Sequence, residues 1–433
     1  MSSIYGTRGA ALLRSGLLFS QTMAAGPALA LASAAVALSS PAVAEPVTFD
    51  AAVAHASEQA PSLQAGALEV QAQERAAVAA PALPDPKASL ALENFPVTGP
   101  PAFNYSGDNM TMVRVGVSQE VPNLAQRHAQ RARASADIGA AKAALSVKSR
   151  AVRVEAALAW IDLASADRQL RAVNEAIKQL ASYREVASAS IASGSARPAQ
   201  ALEVGRAVFA LEDTRSELTA ERSRAQSSLT RWTGDADPEA TGPLPDFEVD
   251  ADALSEAVKQ HPDVGVAEAK VTQTEADIGL ARAEKRPDWM FDVAYERRAP
   301  RYGDMVSAGV TVSLPLFARR RHDPVIAGRI AAAGAALAEQ ENERRRLHAE
   351  LQASLADHGM HHEQLQHART SLLPLAKQQV DLEVGSYAAG RASLVDVVAA
   401  RTALLNAELL VLEREAAVAR DGARLVLTYG GSK

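Results

Sequence analysis

The residues best suited to chemistry form a short histidine-rich segment. His358 and His362 are four positions apart, so on an α-helix both rings would lie on one face at a spacing that can chelate a divalent metal ion. Met360 lies between them, and a thioether beside imidazoles suits copper or silver. Asp357 and Glu363 would point to other faces of the helix, so no catalytic metal centre is predicted. We interpret the segment as a solvated helix face, and the alternative is a transient metal site for which His358 and His362 are weak candidates.

No other pattern indicates an active site. The chain has no cysteine, which excludes disulfides, thiol catalysis and cysteine metal ligands. It contains no phosphate-binding loop, nucleophile elbow or dinucleotide fingerprint. The net charge is −6, and no basic patch interleaved with aromatic residues is present, so nucleic acid is not an expected partner. We therefore predict that the chain is not an enzyme and carries no cofactor.

The first 44 residues are predicted to be an export signal peptide. Arg8 and Arg14 supply a positive start, and an alanine-rich apolar stretch follows from 23 to 38. Ala42–Ala44 matches the small-x-small cleavage pattern, and acidic residues begin only at Glu45. The alternative is a retained membrane anchor, although glycine, proline and serine interrupt the apolar stretch.

Landmark residues recur along the chain in the same order. The pairs are Pro61 and Pro262, Pro86 and Pro287, Pro122 and Pro315, Gly194 and Gly390, and Gly234 and Gly430, at offsets of 201, 201, 193, 196 and 196. A nearly constant offset indicates the same elements joined by loops of different length. We therefore predict an internal duplication, with a first repeat over 45–252 and a second over 253–433.

Each repeat contains two predicted strands with one apolar and one polar face. The four segments are about 88–95, 111–121, 288–297 and 305–316. In the third, Trp289, Phe291 and Val293 alternate with more polar neighbours. Strands of about ten residues with this alternation are typical of a barrel that faces lipid outside and water inside. The alternative is a pair of half-buried hairpins in a soluble domain, but the flanking helices are too long and thin to cover a sheet.

A very long helix is predicted after the second strand of each repeat. The two segments are about 123–193 and 323–386, the latter with Asp323 as its N-cap and Pro324 in its first turn. At 1.5 Å per residue, the first would span roughly 100 Å. Gly194 and Gly390 are predicted to turn the chain into shorter return helices. Because four strands are too few to close a barrel, the chain is expected to oligomerise.

With this order of elements, the chain after the signal peptide resembles the TolC family of outer-membrane efflux channels. The strings that resemble its heavy-metal branch are Ser89–Pro96, Met110–Met112, Val115–Pro122, and Leu314–Phe317 followed by an arginine run. The resemblance implies a mainly α fold with a small membrane β-barrel. In that family, three protomers contribute four strands each to a twelve-stranded barrel, which continues as a long α-helical coiled-coil tunnel.

The resemblance implies a passive export duct in the outer membrane of a Gram-negative bacterium, extending into the periplasm. The implied cargo is heavy-metal cations, with drugs or other small organic molecules as the alternative. The implied partners are two further copies in a homotrimer, a periplasmic adaptor (membrane fusion) protein and an inner-membrane RND transporter. Outer-membrane lipid is also an expected partner, through the arginines at 127–133 and 319–321. A non-channel periplasmic coiled-coil scaffold is the alternative from another class.

The resemblance also assigns residues near the helix turns. Asp396 falls where the family can carry an aperture carboxylate, so three copies would form a ring that attracts cations and raises its own pKa. The alternative is a solvated charge at a helix end. The second acid expected one turn later is Ala399, and the expected arginine lies one position early, as Arg391. Gly194, Gly390 and Arg391 are the predicted docking residues, because a turn with little side chain lets another backbone approach closely. The alternative is that each glycine only reverses the direction of the helix.

Overall fold

The computed structural model describes residues 45–192 and 197–430. The predicted signal peptide and Gly194 lie outside the described residues. In chain order the elements are β1 (Glu45–Val47), α1 (Phe49–Gln59), α2 (Pro61–Ala79), β2 (Lys87–Glu93), β3 (Met112–Val121), α3 (Leu124–Ala192), α4 (Pro198–Thr233), β4 (Pro238–Ala240), α5 (Ala251–Ala257), α6 (Pro262–Ala283), β5 (Trp289–Arg298), β6 (Met305–Val312), α7 (Ala318–His367), α8 (Leu373–Ala388) and α9 (Leu394–Tyr429). Within the described ranges, no helix is both long enough and apolar enough to cross a membrane.

Four of the strands form one antiparallel sheet in the order β2–β3–β5–β6. The central pair, β3 and β5, joins strands that are far apart in the chain and sets Arg114 opposite Glu296 and Val117 opposite Val293. β2 and β6 are the two edge strands. The separate pair β1 and β4 is short and parallel, with Val47 opposite Ala240.

The long helix α3 organises the helical part of the chain. It has 69 residues and packs against α2, α4, α6 and α9 at different points along its length. Trp160 belongs to an extended apolar cluster and is completely buried. Its indole Nε1 donates a hydrogen bond of 2.8 Å to the carbonyl oxygen of Val47, and its ring meets Phe49 edge-on at 5.6 Å between ring centroids. This contact anchors the first described residues of the chain to the middle of α3.

A buried histidine begins helix α6. The His261 ring Nδ1 accepts a hydrogen bond of 3.2 Å from the backbone N–H of Asp263, so the ring acts as the N-cap. Burial lowers the pKa of His261, and the nearby charges of Arg150 and Arg346 act in the same direction. The carboxylates of Asp263 and Glu343 oppose that shift in pKa. The neutral ring is therefore the form that fits this site, since a proton on Nδ1 would remove the cap.

The second long helix differs from its prediction at its start and in its interior. It begins at Ala318 rather than Asp323, and Pro324 lies inside it. The N-cap role predicted for Asp323 is therefore wrong; its carboxylate instead pairs with Lys285. The helix starts early because the residues before Pro324 already form helical bonds, such as that from the Arg321 N–H to the Phe317 carbonyl oxygen at 3.0 Å. Near its other end, the turn Ala368–Leu372 is π-helical and separates α7 from α8.

The last strand is shorter than predicted. β6 ends at Val312, whereas the alternation in the sequence continues to Leu314 and the prediction extended to 316. Pro315 has no N–H to donate to a ladder, and the chain turns there, with the Leu316 N–H bonded to the Leu314 carbonyl oxygen at 2.8 Å. Leu316 and Phe317 consequently lie exposed immediately before the arginine run that begins α7.

Candidate functional site

One face of the four-stranded sheet presents apolar side chains to the outside. The members of this lipid-type face are Leu90, Leu92, Val115, Val117, Trp289, Phe291, Val293, Tyr295, Val306 and Val310, and all of them are exposed. They share a face because side chains alternate along each strand and the register sets Val117 beside Val293. A monomeric soluble protein rarely exposes such a continuous apolar surface, so this face indicates contact with another apolar phase.

The opposite face of the same sheet carries a cluster of charges, here called the polar-face cluster. Arg114 lies within 3.3 Å of Glu93 on β2, 3.5 Å of Asp292 and 3.7 Å of Glu296 on β5. Ser307 on β6 donates a hydrogen bond of 2.7 Å to Glu296. With three carboxylates and one guanidinium, the cluster has an excess of two negative charges. This surface is suited to water and cations rather than lipid.

A glycine makes room for one of these carboxylates. A Cβ added to Gly309 would come within 2.5 Å of Oδ1 of Asp292, which lies directly opposite in the register. The missing side chain therefore lets the Asp292 carboxylate lie over β6 while it faces Arg114. Neither this cluster nor Gly309 was predicted from the sequence to have a role. The signal was present as alternating charged residues, but their meeting depends on the register of three strands.

The turn between α8 and α9 contains two of the predicted docking residues. Gly390 has a φ of +70°, a conformation that glycine adopts without strain. Its N–H bonds to the Tyr387 carbonyl oxygen and the Arg391 N–H to the Ser386 carbonyl oxygen, both at 2.9 Å. This pair of bonds is the Schellman motif, which satisfies the free carbonyls at the end of a helix. The side chain of Arg391 is exposed on this turn.

Asp396 lies in the first turn of α9, where it completes a capping box. Its Oδ2 accepts hydrogen bonds from the backbone N–H of Ser393 at 2.8 Å and from the Ser393 hydroxyl at 2.7 Å. These bonds lower the pKa of Asp396, because they stabilise the carboxylate form. A single protomer therefore holds Asp396 ionised and fixed in position. The raised pKa expected for a ring of three carboxylates requires the neighbouring copies and stays a prediction.

The histidine segment places its two candidate metal ligands near each other but gives them no third ligand. The ring centroids of His358 and His362 are 6.5 Å apart. His361 is committed elsewhere, with its Nδ1 2.6 Å from Oδ2 of Asp421 on α9. Burial lowers the pKa of His358, so its ring is neutral near pH 7. Among the residues that the structure describes, no group of three or more histidines and carboxylates is arranged to hold a metal ion.

The predicted lipid-binding arginines differ in whether their side chains are held by other groups of the protein or exposed. In the first run, the Arg127 Nε donates to the carbonyl oxygen of Pro81 at 3.1 Å, and the Arg133 Nε lies 3.0 Å from Asp137. These two side chains are held by the protein. The second run, Arg319–Arg321, is exposed and follows the exposed ring of Phe317. An aromatic residue beside basic residues is typical of a membrane interface.

An exposed apolar strand face, an opposite charged face and helices of up to 69 residues are features typical of an outer-membrane efflux channel. The model of the family described as outer membrane efflux protein matches residues 253–431. The matched segment is the second predicted repeat, and the match bears out the resemblance to the TolC family of outer-membrane efflux channels that the sequence showed.

One curated relative and several solved structures are similar to most of the chain. The chain is 24% identical over 380 residues to the cobalt-zinc-cadmium resistance protein CzcC of Cupriavidus metallidurans, covering 85% of this chain and 86% of the relative. The fold is similar to that of a membrane protein from Pseudomonas aeruginosa, with a TM-score of 0.76 and 17% identity over 89% of this chain and 90% of the other. It is also similar to that of CusC, with a TM-score of 0.71 and 16% identity over 89% and 92%.

Proposed function

We propose that three copies of this chain form a passive duct that carries heavy-metal cations across the outer membrane. The observation that carries this proposal is the two-faced sheet, with its exposed apolar face and its polar-face cluster on the other side. Such a sheet fits a wall between lipid and water, in which apolar residues face outward and polar residues face the lumen. A periplasmic scaffold would have no use for the exposed apolar face.

Trimer formation is supported by the edges of the sheet. Four strands leave β2 and β6 as edges, and open edges within a membrane leave backbone groups without partners. Pairing β2 of one copy with β6 of the next would close a twelve-stranded barrel in three steps. The α-helices would then continue the wall, because the 69 residues of α3 extend over roughly 100 Å. That length would take the duct well into the periplasm, and the duplicated order of elements fits a quasi-symmetric wall.

The proposed cargo rests on charge and on a relative. The polar-face cluster has more carboxylates than guanidinium groups, so a lumen lined by three copies would attract cations. The relative CzcC is named for resistance to cobalt, zinc and cadmium. A duct for drugs or other small organic molecules is the alternative, and it would not require an excess of negative charge in the barrel.

The proposed partners would bind at the end of the helical part where the chain turns at Gly390. By resemblance to its family, the duct would receive cargo from an inner-membrane RND transporter through a periplasmic adaptor. Gly390 and Arg391 offer an exposed turn for docking, and Gly194 is proposed for the same role at the other turn. Three copies of Asp396, each fixed by its capping box, would form the cation-attracting ring of the aperture. Phe317 and Arg319–Arg321 would contact outer-membrane lipid.

Two neighbouring residues on β6 provide a matched test of the orientation of the sheet. Val310 is exposed on the apolar face, whereas Thr311 is exposed on the polar face. Val310→Asp would place a charge in lipid at a cost of up to about 2 kcal/mol per copy, while Thr311→Asp would leave it in water. Both variants and the wild type would be expressed with a signal peptide in a Gram-negative host and their amounts in the outer-membrane fraction compared.

We expect Val310→Asp to reduce the outer-membrane fraction strongly and Thr311→Asp to leave it near the wild-type amount. Equal behaviour of the two variants would contradict the proposed orientation. The cargo would be tested in the same cells, supplied with the adaptor and pump genes, by measuring retained zinc, cobalt and cadmium. Unchanged metal retention with lowered retention of an organic dye would favour the alternative cargo.

A further inference from the structure

The turns of the two hairpins lie at the end of the four-stranded sheet that is far from the long helices. Helices α3 and α7 follow β3 and β6 in the chain, so they leave the sheet beyond Val121 and Val312. The turns at 94–111 and 299–304 connect the strands of each hairpin at the opposite end. We call this the hairpin end of the sheet.

Hydrogen bonds join the two turns at the hairpin end. The Tyr105 hydroxyl of the first turn donates a hydrogen bond of 2.6 Å to the carbonyl oxygen of Arg297. In the other direction, the Arg301 guanidinium donates to the carbonyl oxygen of Ser106. The Cζ of Arg301 also lies 4.6 Å from the centroid of the Tyr302 ring. These contacts hold Arg301 in place, while its exposed guanidinium keeps further N–H donors for a ligand.

Arg297 lies where the lipid-type face meets the hairpin end. It follows Tyr295 by two positions and is opposite Val113, so its exposed side chain lies on the same side of the sheet as theirs. At about 3.4 Å per residue, Arg297 lies about 7 Å beyond Tyr295 along the strand. Transmembrane strands carry aromatic residues where their apolar band meets the lipid head groups. Arg297 is therefore at the level expected for head groups.

An apolar row crosses the whole sheet at the level just below Arg297. It consists of one residue from each of the four strands, each directly opposite the next: Leu90, Val115, Tyr295 and Val306. All four side chains are exposed. Hydrocarbon chains lying along this row would bring their head group beside Arg297.

The hairpin end has an excess of positive charge. The segment from Arg297 to Asp304 contains three arginines and one acid. Both carboxylate oxygens of Asp304 accept hydrogen bonds, one from the backbone N–H of Arg298 at 3.3 Å and the other from the Tyr295 hydroxyl. Within the described ranges, neither Arg297 nor Arg301 forms an ion pair with a carboxylate. These two exposed guanidinium groups are therefore available to an anion from outside the chain.

We propose that the hairpin end binds the phosphate groups of an outer-leaflet lipid, with Arg297 and Arg301 on the head group and the acyl chains along the apolar row. This lipid site rests on the proposed duct, because helices that extend into the periplasm leave the hairpin end in the outer leaflet. Guanidinium groups suit phosphate, since they can form two parallel N–H bonds to its oxygens. Lipid A, a phosphorylated glycolipid with several acyl chains, is the lipid of that leaflet with this chemistry. The site is separate from Phe317 and Arg319–Arg321, which lie at the other end of the sheet.

Binding of lipid A with and without its phosphates tests this site. The protein would be expressed with its signal peptide, purified from the outer-membrane fraction in detergent and titrated with each lipid, while native mass spectrometry counts the bound lipid molecules. The test variant is Arg297→Met, which keeps a long apolar stem and removes the charge. The matched control is Arg345→Met, which removes an exposed arginine from α7, away from the sheet.

We expect Arg297→Met to weaken the binding of phosphorylated lipid A about fivefold, equivalent to about 1 kcal/mol, and Arg345→Met to leave it unchanged. Arg297→Lys should bind the lipid more tightly than Arg297→Met, because lysine keeps the charge. The dephosphorylated lipid should bind the wild type more weakly than lipid A does, and Arg297→Met should not weaken its binding further.

Equal binding of the two lipids, or an equal loss of binding in Arg345→Met, would overturn the lipid site. Inorganic phosphate that displaces lipid A at the same concentration would assign the arginines to free phosphate and would overturn it as well. A trimer that conducts in bilayers but fails these tests would retain the duct and lose only the lipid site. A wild-type protein absent from the outer-membrane fraction would overturn both proposals.

Discussion

The polar-face cluster allows a quantitative prediction for ion selectivity. Arg114→Met removes the guanidinium that faces Glu93, Asp292 and Glu296 while it keeps a long apolar stem. The excess negative charge of the cluster would rise from two to three per copy, adding three charges to the lumen of a trimer. If the polar face lines the pore, the variant should select cations more strongly than the wild type.

The size of the effect follows from Coulomb's law and salt screening. An ion on the axis of a twelve-stranded barrel would pass roughly 10 Å from such a charge, where one pair of unit charges in water interacts by about 0.4 kcal/mol. Three added charges give about 0.9 kcal/mol at 10 mM salt and about 0.35 kcal/mol at 150 mM salt. Cation occupancy should therefore rise roughly fivefold at low salt and less than twofold at high salt.

The assay is the reversal potential of purified protein in planar bilayers under a potassium chloride gradient, measured at both salt levels. The matched control is Arg297→Met, which also removes one positive charge per copy. Arg297 follows Glu296 on β5, so it lies one position along from the residue opposite Arg114, but it is exposed on the other, apolar face of the sheet. Arg114→Met should shift the reversal potential toward that of potassium, and Arg297→Met should not. Equal shifts in the two variants, or a shift toward chloride in Arg114→Met, would refute the assignment of the polar face to the lumen.

Three further predictions concern the fold. Trp160→Ala should lower the free energy of unfolding by about 3–5 kcal/mol, because it empties the centre of a buried cluster; an unchanged urea midpoint would contradict this. Gly390→Ala should lower the melting temperature, since a non-glycine residue at positive φ costs roughly 1 kcal/mol, whereas Gly385→Ala inside α8 should raise it. The pKa of His261 is lower in the folded protein than in the unfolded chain. As the pH falls, the His261 ring therefore binds a proton in the unfolded chain before it does so in the folded protein. The neutral His261 ring therefore contributes fully to stability above about pH 6.5, and this contribution is lost below that pH. In His261→Gln, the urea midpoint should fall less between pH 7.5 and 5.5 than it does in the wild type. Parallel plots of midpoint against pH for the two proteins would contradict this.

Part of the site could be read from local sequence. Alternation along each strand predicted which residues share a face, because side chains alternate whatever the neighbouring strand does. Gly390 was expected to turn the chain, since glycine tolerates a positive φ. The capping box could also have been found, because Ser393 and Asp396 stand three positions apart just before an apolar run. From the sequence, Asp396 was interpreted only as an aperture carboxylate or as a solvated charge at a helix end.

The rest depends on contacts between distant parts of the chain. Arg114 meets Asp292 and Glu296 only because β3 pairs with β5 in one particular register, which the alternation alone does not set. The pairing of His361 with Asp421 depends on how α7 packs against α9. The helix start at Ala318 was missed for another reason, since a proline is most often in the first turn but is tolerated further along.

The proposed function requires this chain to form a cation-selective pore in a membrane. The most direct test is to reconstitute the purified wild-type protein, without its first 44 residues, in a planar bilayer and record single-channel currents under a salt gradient. We expect discrete conductance steps with a reversal potential shifted toward that of the cation. Stable insertion with anion-selective steps, or a trimeric preparation that never conducts in any lipid or at any voltage, would contradict it.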